Sequence, residues 1–563
     1  MTETTAATAE NLPTSAAARI GWAILIFATL YVCYFSHLGA IGFVGPDEPR
    51  YAWIARDMAE TGDWVTPRLY GKPWFEKPVL YYWGAALCFK LFGVSEASAR
   101  LPSAISALLA TLALAWLALC LYGSETARWL LLLFPTTVGM IGFSHAASMD
   151  TPFSGMLTIT MVCAAVILGL TRNEHTPILP RTPWLALLLS GFFLGLAILA
   201  KGPAAVVLSG GAIFFWGLFT KRWRDAVRLL HPIAITSFCC NALPWYILCA
   251  HRNPDFFHIF IIEHNFKRYL TPGFQHIQPF WFYVPVLLVA FLPWIGIFLW
   301  SLVRGIANLW RTRCTTEPTW LLICWAGFCL LFFSVSKSKL PGYILPAFPA
   351  IGLLMARDLS GRLQQGLNAV RWLCLGVGLT FVILGVAAYQ LNNRIPFVTA
   401  IRPAPTVRLF ALFMVSGGIV VGTLGLLRSG RKALALAAIV LPVFMTFGTE
   451  DLRQLDDGVS ARLVAQRAKD HLPSAELDIA TTYKLQRGLK FGLNFYLHRE
   501  LAEWSPPSGH GSIVFTTHGH AKELEQMGVH CHRDGPYPAI EICIDSSTVA
   551  NLTDSLPRSG QPH

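Results

Sequence analysis

Runs of about 20 apolar residues, each long enough to cross roughly 30 Å of hydrocarbon as a helix, recur along most of this chain. The first, "IGWAILIFATLYVCYFSHLGAIG", covers residues 20–42. Hydrocarbon offers backbone amides no partner, so a run of this length is stable there only as a helix that satisfies its own hydrogen bonds. The composition agrees: 54% of the 563 residues are apolar and 13% charged, where a soluble domain carries about a quarter charged residues. The expected architecture is an all-α polytopic membrane protein.

Thirteen spans are expected, near residues 20–42, 101–121, 126–143, 152–170, 184–199, 203–219, 229–250, 280–303, 319–336, 340–356, 370–390, 407–427 and 432–449. One further run, "PVLYYWGAALCFKLFG" at 78–93, is short for a span and contains Lys90. Topology arbitrates. With the N-terminus in the cytoplasm and 78–93 not crossing, "TRNEHTPILPR", "KRWRDAVR", "RGIANLWRTR", "ARDLSGRLQQGLNAVR" and "RSGRK" all fall inside, as the positive-inside rule requires. If 78–93 crossed, all of them would lie outside. The net charge of +12 is thereby divided among short loops, not gathered into a nucleic-acid-binding patch.

The first 18 residues are polar and rich in Ala and Thr, without the cationic start of a cleaved signal, so the first apolar run is retained as an anchor. Three regions result: a disordered cytoplasmic tail at 1–19, a membrane domain at 20–449 whose first outer loop is 43–100, and an α/β domain at 450–563. In the last, "SIVFTTHG" and "AIEICID" read as strands and "AKELEQMG" as a helix ended by Gly528. Its "HGH" and "HCH" triplets are weak metal signals, because neighbouring side chains in a strand face opposite ways. Cys531 and Cys543 are able to pair if the tail is extracytoplasmic, and a free pair is equally compatible.

The outer loops, 43–100, 144–151, 200–202, 251–279, 337–339 and 391–406, collect Asp47, Glu76, Lys77, Asp150, Lys201, His264 and Lys337 on one membrane face. Any one of these is equally readable as a solvated border charge; together they suggest a site. The densest stretch is "GPDEPRYAWIARDMAETGDWVTPRLYGKPWFEKP" at 45–78. Asp47 is placed to cap a helix in which Tyr51, Ile54, Ala55, Met58 and Ala59 share a face and which Gly62 ends. Asp47 and Glu48 sit at its positive end. Local physics is served as well by a capped surface helix. Trp74, Phe75, Tyr81, Tyr82 and Trp83 read as an interfacial aromatic belt. Glu76 and Lys77 lie between two prolines that keep the backbone extended, so their side chains diverge.

"DEPRYAWIARDMAETGDWVTPRLYG", "KPWFEKPVLYYW", "SMDTPF", "LAKGP", "EHNFKRYLTPGFQHIQPFWFYVP" and "SVSKSKLPGYILPAFPAI" follow one another between residues 47 and 351. As a set they resemble the GT-C membrane glycosyltransferases, in the bacterial branch of lipid A 4-amino-4-deoxy-L-arabinose transferases, related to the dolichyl-phosphate-mannose protein mannosyltransferases. The tail from about 450 carries no matching motif, although family members have a small periplasmic domain there.

The resemblance implies a bacterial inner-membrane enzyme, active at the periplasmic face and monomeric. It would move a pentose or hexose from a polyprenyl phosphate such as undecaprenyl phosphate to lipid A or another envelope acceptor. Asp47 and Asp150 match the family's acidic residues. Lys77, Arg268 and Tyr343 match groups that hold the carrier phosphate, with Lys267 an alternative to Arg268. Glu48, Arg50, Tyr51, Lys201 and Lys337 fall in the cavity. Glu76 and His264 match a pair that binds a divalent cation, zinc being compatible with carboxylate and imidazole. Direct displacement with inversion is expected. Protein O-mannosyl transfer and other polyprenyl-phosphate hexosyl transfer are the enzymatic alternatives. A lipid-linked sugar transporter is disfavoured, because the charges gather on one face and not at the midplane.

Overall fold

Large apolar side chains point outward along the helices of this protein, as in helix α1 (Ala16–Phe35), where Ile20, Ile24 and Phe27 are exposed. That inversion is stable only against lipid. The structure is a computed structural model and describes residues 16–171, 183–267, 277–312, 316–365, 367–394, 404–427, 429–447, 456, 458–505, 513–532 and 539–545. Among these, eight helices are long and apolar enough to span, and nine if the bent pair Ser124–Leu133 and Val138–Ser144 is one crossing. The chain is a multi-pass membrane protein.

Short amphipathic pieces precede the bundle: α2 (Asp47–Thr61), the antiparallel pair β1 (Arg68–Leu69) and β2 (Lys72–Pro73), and α3 (Leu80–Phe92). The 13 residues of α3 reach only about 20 Å at 1.5 Å per residue, too short to cross. Then follow α4 (Glu96–Tyr122), α5 (Ser124–Leu133), α6 (Val138–Ser144), α7 (Asp150–Ile167), α8 (Trp184–Lys201), α9 (Ala204–Thr220), the short α10 (Trp223–Val227) and α11 (Pro232–Arg252). Helix α7 is buried along nearly its whole length. It packs on α4 where Gly155 meets the backbone of Ser106: an added Cβ would lie 2.8 Å from the Ser106 carbonyl oxygen.

The expected single span at 280–303 is broken into Tyr283–Ala290 and Ile295–Thr312. Pro293 lacks an amide hydrogen and cannot continue the helix. A second break, at Pro135 between α5 and α6, bends that pair by 65°. The two breaks face each other. The Val138 amide donates to Leu292 O at 2.9 Å, and Trp294 Nε1 donates to Thr136 Oγ1 at 2.9 Å, so polar groups freed by the prolines are satisfied within protein. The run expected at 340–356 starts as a 3-10 turn, Pro341–Ala347, before helix Phe348–Gln364.

The C-terminal region forms a five-stranded mixed sheet, ordered β4 (Ala502–Glu503), β3 (Thr481–Tyr483), β5 (Ile513–Thr516), β7 (Glu541–Asp545), β6 (Val529–His532). Alternation builds two cores: Ile513, Phe515, Ile542 and Ile544 face Val464 and Leu493, while Val514 and Cys543 face Ala521 and Leu524. Helix His518–Gln526 ends before Gly528, whose φ is 88°. Cys531 and Cys543 are directly opposed in the β6–β7 register and form a disulfide.

This domain is bolted to the segment that follows α1 and to the start of α4. Asp456 accepts from the Gly42 amide at 2.7 Å and from Arg462, whose Nη1 and Nη2 donate to Gly39 O and Ala40 O at 2.9 Å each. The Tyr496 hydroxyl accepts from the Phe43 amide at 2.9 Å and donates to Glu96 at 2.8 Å.

Candidate active site

Helix α2 begins at Asp47, with Pro46 in the capping position and no side-chain cap. The expectation that Asp47 caps this helix is therefore corrected. Its carboxylate instead accepts from Arg50 Nη2, one turn on, and stays half exposed at 49%. The Arg50 side chain is 4% exposed, and its Nη1 stands 2.9 Å from Glu76 Oε2. Burial works against the charged guanidinium, but Glu76, Tyr51 and Asp47 outweigh it, and the pKa of Arg50 rises. Aromatic faces complete the enclosure: Tyr51 at 5.2 Å, Trp74 at 5.3 Å and Phe491 of the C-terminal domain at 5.8 Å. Lys77 Nζ lies 3.7 Å from Glu76 Oε1, so the prolines do not separate that pair fully. Asp47, Arg50, Tyr51, Glu76 and Lys77 are thus brought together.

Glu48 turns the other way. It is buried, and accepts from Arg100 Nε at 3.0 Å and Nη2 at 2.7 Å, from the Val44 amide at 2.8 Å and from the Ala147 amide at 2.7 Å. Arg100 also donates to the carbonyls of Leu38, Ile41 and Gly42. Glu48 fastens α2 to the 144–151 loop. Arg100 carries no motif that sequence reasoning singled out, because its partners are mostly main-chain carbonyls.

That loop ends at Asp150, the first residue of α7, which likewise makes no cap bond. Its carboxylate accepts from Lys201 Nζ, at the last residue of α8. The ammonium also lies 4.7 Å from the ring centre of Tyr343. Gly342 makes this approach possible: a Cβ there would stand 2.5 Å from Asp150 Oδ2. Asp150, Lys201 and Tyr343 form a second cluster, tied to the first through the Glu48–Ala147 bond.

His264 lies in the π-helix His258–Lys267. Arg268 falls outside the described residues, and Lys267 is 3.9 Å from Glu263. Lys337 is exposed, whereas its neighbour Lys339 is buried, donating to Gln278 O at 3.0 Å and Ser336 O at 2.6 Å. Burial, aided by Lys337, lowers the pKa of Lys339. Lys339 and the Ile277–Ser338 bridge pin the end of the 251–279 loop to this face.

Tyr81 and Tyr82, expected in an interfacial belt, are fully buried beneath α2. Tyr81 donates to Ala99 O at 2.8 Å, anchoring α3 to α4. Burial pushes both phenols well above their ordinary 10.0.

A zinc or other divalent ion at Glu76 and His264 would need further donors, since structural and catalytic zinc sites take three or four protein ligands. Among the described residues no group of three or more His, Cys, Asp or Glu converges, and the two Glu76 oxygens face Arg50 and Lys77. Among the described residues, Glu76 and His264 gain no third ligand of these types.

Residues 20–260 match the dolichyl-phosphate-mannose-protein mannosyltransferase family. An undecaprenyl phosphate-alpha-4-amino-4-deoxy-L-arabinose arabinosyl transferase of Edwardsiella ictaluri is 28% identical over 96% of this chain and 94% of its own length. The protein of that name from Aeromonas hydrophila is 32% identical over 66% of this chain and 67% of its own. For the one from Erwinia tasmaniensis the identity is 34%, over 59% of this chain and 58% of the relative. The crystal structure of ArnT from Cupriavidus metallidurans bound to undecaprenyl phosphate superposes with a TM-score of 0.77 at 23% identity, covering 96% of this chain and 99% of that one, which establishes a shared fold. With its spans, the charge clusters between them and its C-terminal sheet, the chain belongs to the GT-C protein-mannosyltransferase family of membrane glycosyltransferases, in the branch of the undecaprenyl phosphate-aminoarabinose transferases.

Proposed function

We propose that this protein transfers 4-amino-4-deoxy-L-arabinose from undecaprenyl phosphate to lipid A at the periplasmic face of a bacterial inner membrane. The observation that carries the reading is the Asp47–Arg50–Glu76 arrangement: a half-exposed carboxylate held by a buried cation, beside Lys77. The relatives that match over most of the chain are named for the aminoarabinose reaction.

In this reading an acceptor oxygen attacks the anomeric carbon as the bond from that carbon to the carrier phosphate oxygen breaks. Configuration inverts and undecaprenyl phosphate leaves with the bonding pair. Lys77, Tyr343 and Arg268 hold the phosphate, where positive charge stabilises the leaving anion. Asp47 takes the proton of a hydroxyl acceptor, or orients an acceptor that is already an anionic phosphate. Arg50 holds the Asp47 carboxylate in place, and Lys201 does the same for Asp150.

The topology that suits this reading has thirteen crossings and a cytoplasmic N-terminus, with the broken pairs α5–α6 and Tyr283–Ala290 with Ile295–Thr312 each crossing once. The α2, α3 and C-terminal segments then lie outside. Mass spectrometry of lipid A after incubation of reconstituted protein with the glycosylated carrier tests the reaction. Sugar on protein instead of lipid A would assign the acceptor to the protein-mannosyl branch.

A further inference from the structure

Helices Ile295–Thr312, Glu317–Val335 and Phe348–Gln364 border a cavity of about 340 Å³ that the transfer reaction does not use. Ser301, Thr319 and Asp358 form a polar wall, and Leu330, Leu354 and Met355 belong to the apolar remainder. The polar wall lies far from the two charge clusters. Thr319 stands about 24 Å from Val335 along its helix, at 1.5 Å per residue. Beyond Val335 a short link leads to Gly342, which faces Asp150. The cavity thus presents its polar groups at the end of the bundle opposite Asp150.

Two observations define what the cavity suits. Gly305 and Gly327 line it, and an added Cβ at either would meet nothing within 4 Å. Glycine is a poor helix former, and no neighbour requires its small size at these positions, so the two glycines keep space open. The polar end carries charge. Arg357 donates Nε and Nη2 to Asp358 Oδ1 at 3.0 Å and 2.6 Å and Nη1 to Thr319 Oγ1 at 2.7 Å, while Ser301 donates to Asp358 Oδ2. Asp358 thereby neutralises Arg357. Arg304 and Arg362 flank the ring of Trp300 at 5.3 Å and 5.9 Å, beside Ser301. Arg304 makes no ion pair among the described residues, so positive charge remains next to an apolar space.

We propose that the cavity takes one acyl chain of an anionic phospholipid, drawn from the membrane leaflet opposite the Asp47 and Asp150 clusters, with the lipid phosphate at Arg304. A basic pocket between membrane helices suits such a headgroup, and the apolar remainder suits its chain. The sugar carrier is a different lipid: its phosphate, held at Lys77 and Tyr343, lies at the other end of the bundle. The phospholipid braces helix Phe348–Gln364, which continues from the turn bearing Gly342 and Tyr343.

The test uses the full-length protein in detergent, stripped of lipid, and native mass spectrometry with dioleoyl phosphatidylglycerol, dioleoyl phosphatidylethanolamine or undecaprenyl phosphate added. Wild type should bind one phosphatidylglycerol about fivefold or more tighter than phosphatidylethanolamine, and Arg304→Gln should weaken phosphatidylglycerol about fivefold, the scale of one basic residue near an anionic headgroup. Gly327→Leu, which fills the space, should abolish this binding and the rise in thermal midpoint that phosphatidylglycerol gives wild type. Without lipid its midpoint should be no lower than that of wild type, leucine being the better helix former. Equal affinity of wild type for the two phospholipids overturns the proposal, as does unchanged phosphatidylglycerol binding in either variant. Displacement of phosphatidylglycerol one for one by undecaprenyl phosphate would give the cavity to the carrier instead, and a lowered lipid-free midpoint for Gly327→Leu would remove the open space; each overturns it as well. No sugar donor is present, so the outcome stands apart from the reaction assignment.

Discussion

Arg50 bridges two carboxylates, donating through Nη2 to Asp47 and standing 2.9 Å through Nη1 from Glu76. A planar fork makes both contacts at once; an ammonium on a flexible stem does not. Arg50→Lys should therefore lower kcat for sugar transfer about 100-fold, the scale of losing one preorganised electrostatic contact. Binding of undecaprenyl phosphate should fall no more than about twofold. Steady-state kinetics and lipid binding on the same preparation check both.

The approach of Asp150 to Lys201 depends on the missing side chain at residue 342. Gly342→Ala would set a methyl 2.5 Å from Asp150 Oδ2 and push the carboxylate off its ammonium. Transfer should drop about tenfold or more, since small misplacements in a positioned site cost that much. Lys201→Ala should lower the same rate, and the double variant should lose less than the product of the two single losses.

Glu48 makes the opposite prediction from Asp47 beside it. Its carboxylate is buried against Arg100 and two amides, and breaking such a pair costs about 3–5 kcal/mol. Glu48→Gln should lower the thermal midpoint sharply while the turnover of the molecules that remain folded is kept. Scanning fluorimetry and kcat per folded enzyme separate these effects.

Phe491 reaches Arg50 from helix Arg487–Leu497 of the C-terminal domain, where Gly488 packs on Gly45 and Asn494 donates to the Tyr70 hydroxyl at 2.8 Å. Phe491→Ala removes one wall of the guanidinium's enclosure. Transfer should fall about fivefold, in keeping with roughly 1 kcal/mol for a partly desolvated cation–π contact, without loss of the domain's own fold by circular dichroism.

Asp57 on α2 gives a pH signature. Burial raises its carboxyl pKa above the ordinary 3.8, with Arg68 opposing and Glu60 and Asp63 adding to the rise. Between 3.8 and the raised value the folded state holds a proton that the unfolded state has lost, so stability falls as pH rises through that window and stays lower at neutrality. Asp57→Asn should raise the thermal midpoint at pH 7, and the gain should vanish below pH 3.8. Midpoints measured across pH for both proteins decide it.

Of the thirteen expected spans, eight were legible as helices long and apolar enough to cross, nine with the bent pair, because hydrocarbon demands apolar helices of fixed length; residues 78–93 form a helix of 13 residues, too short to cross. The prolines at 135 and 293 break helices in a way that hydropathy does not register, since the flanking residues stay apolar. The resemblance marked Asp47, Glu76, Lys77, Asp150 and Lys201, and the structure collects them into two clusters. It could not separate Glu48 from Asp47, because adjacent residues in the first turn of a helix point about 100° apart and only packing says which faces Arg100. Phe491 was invisible for a different reason: it comes from a domain more than 400 positions along the chain from Arg50, with no local pattern linking them.

The most direct test of the account is the mass of lipid A after incubation with undecaprenyl phosphate-aminoarabinose and either wild type or Asp47→Asn in proteoliposomes. The account predicts one added aminoarabinose with wild type and none with Asp47→Asn, while both bind undecaprenyl phosphate alike. Full modification by Asp47→Asn, or no modification by wild type in the presence of intact donor, would contradict it.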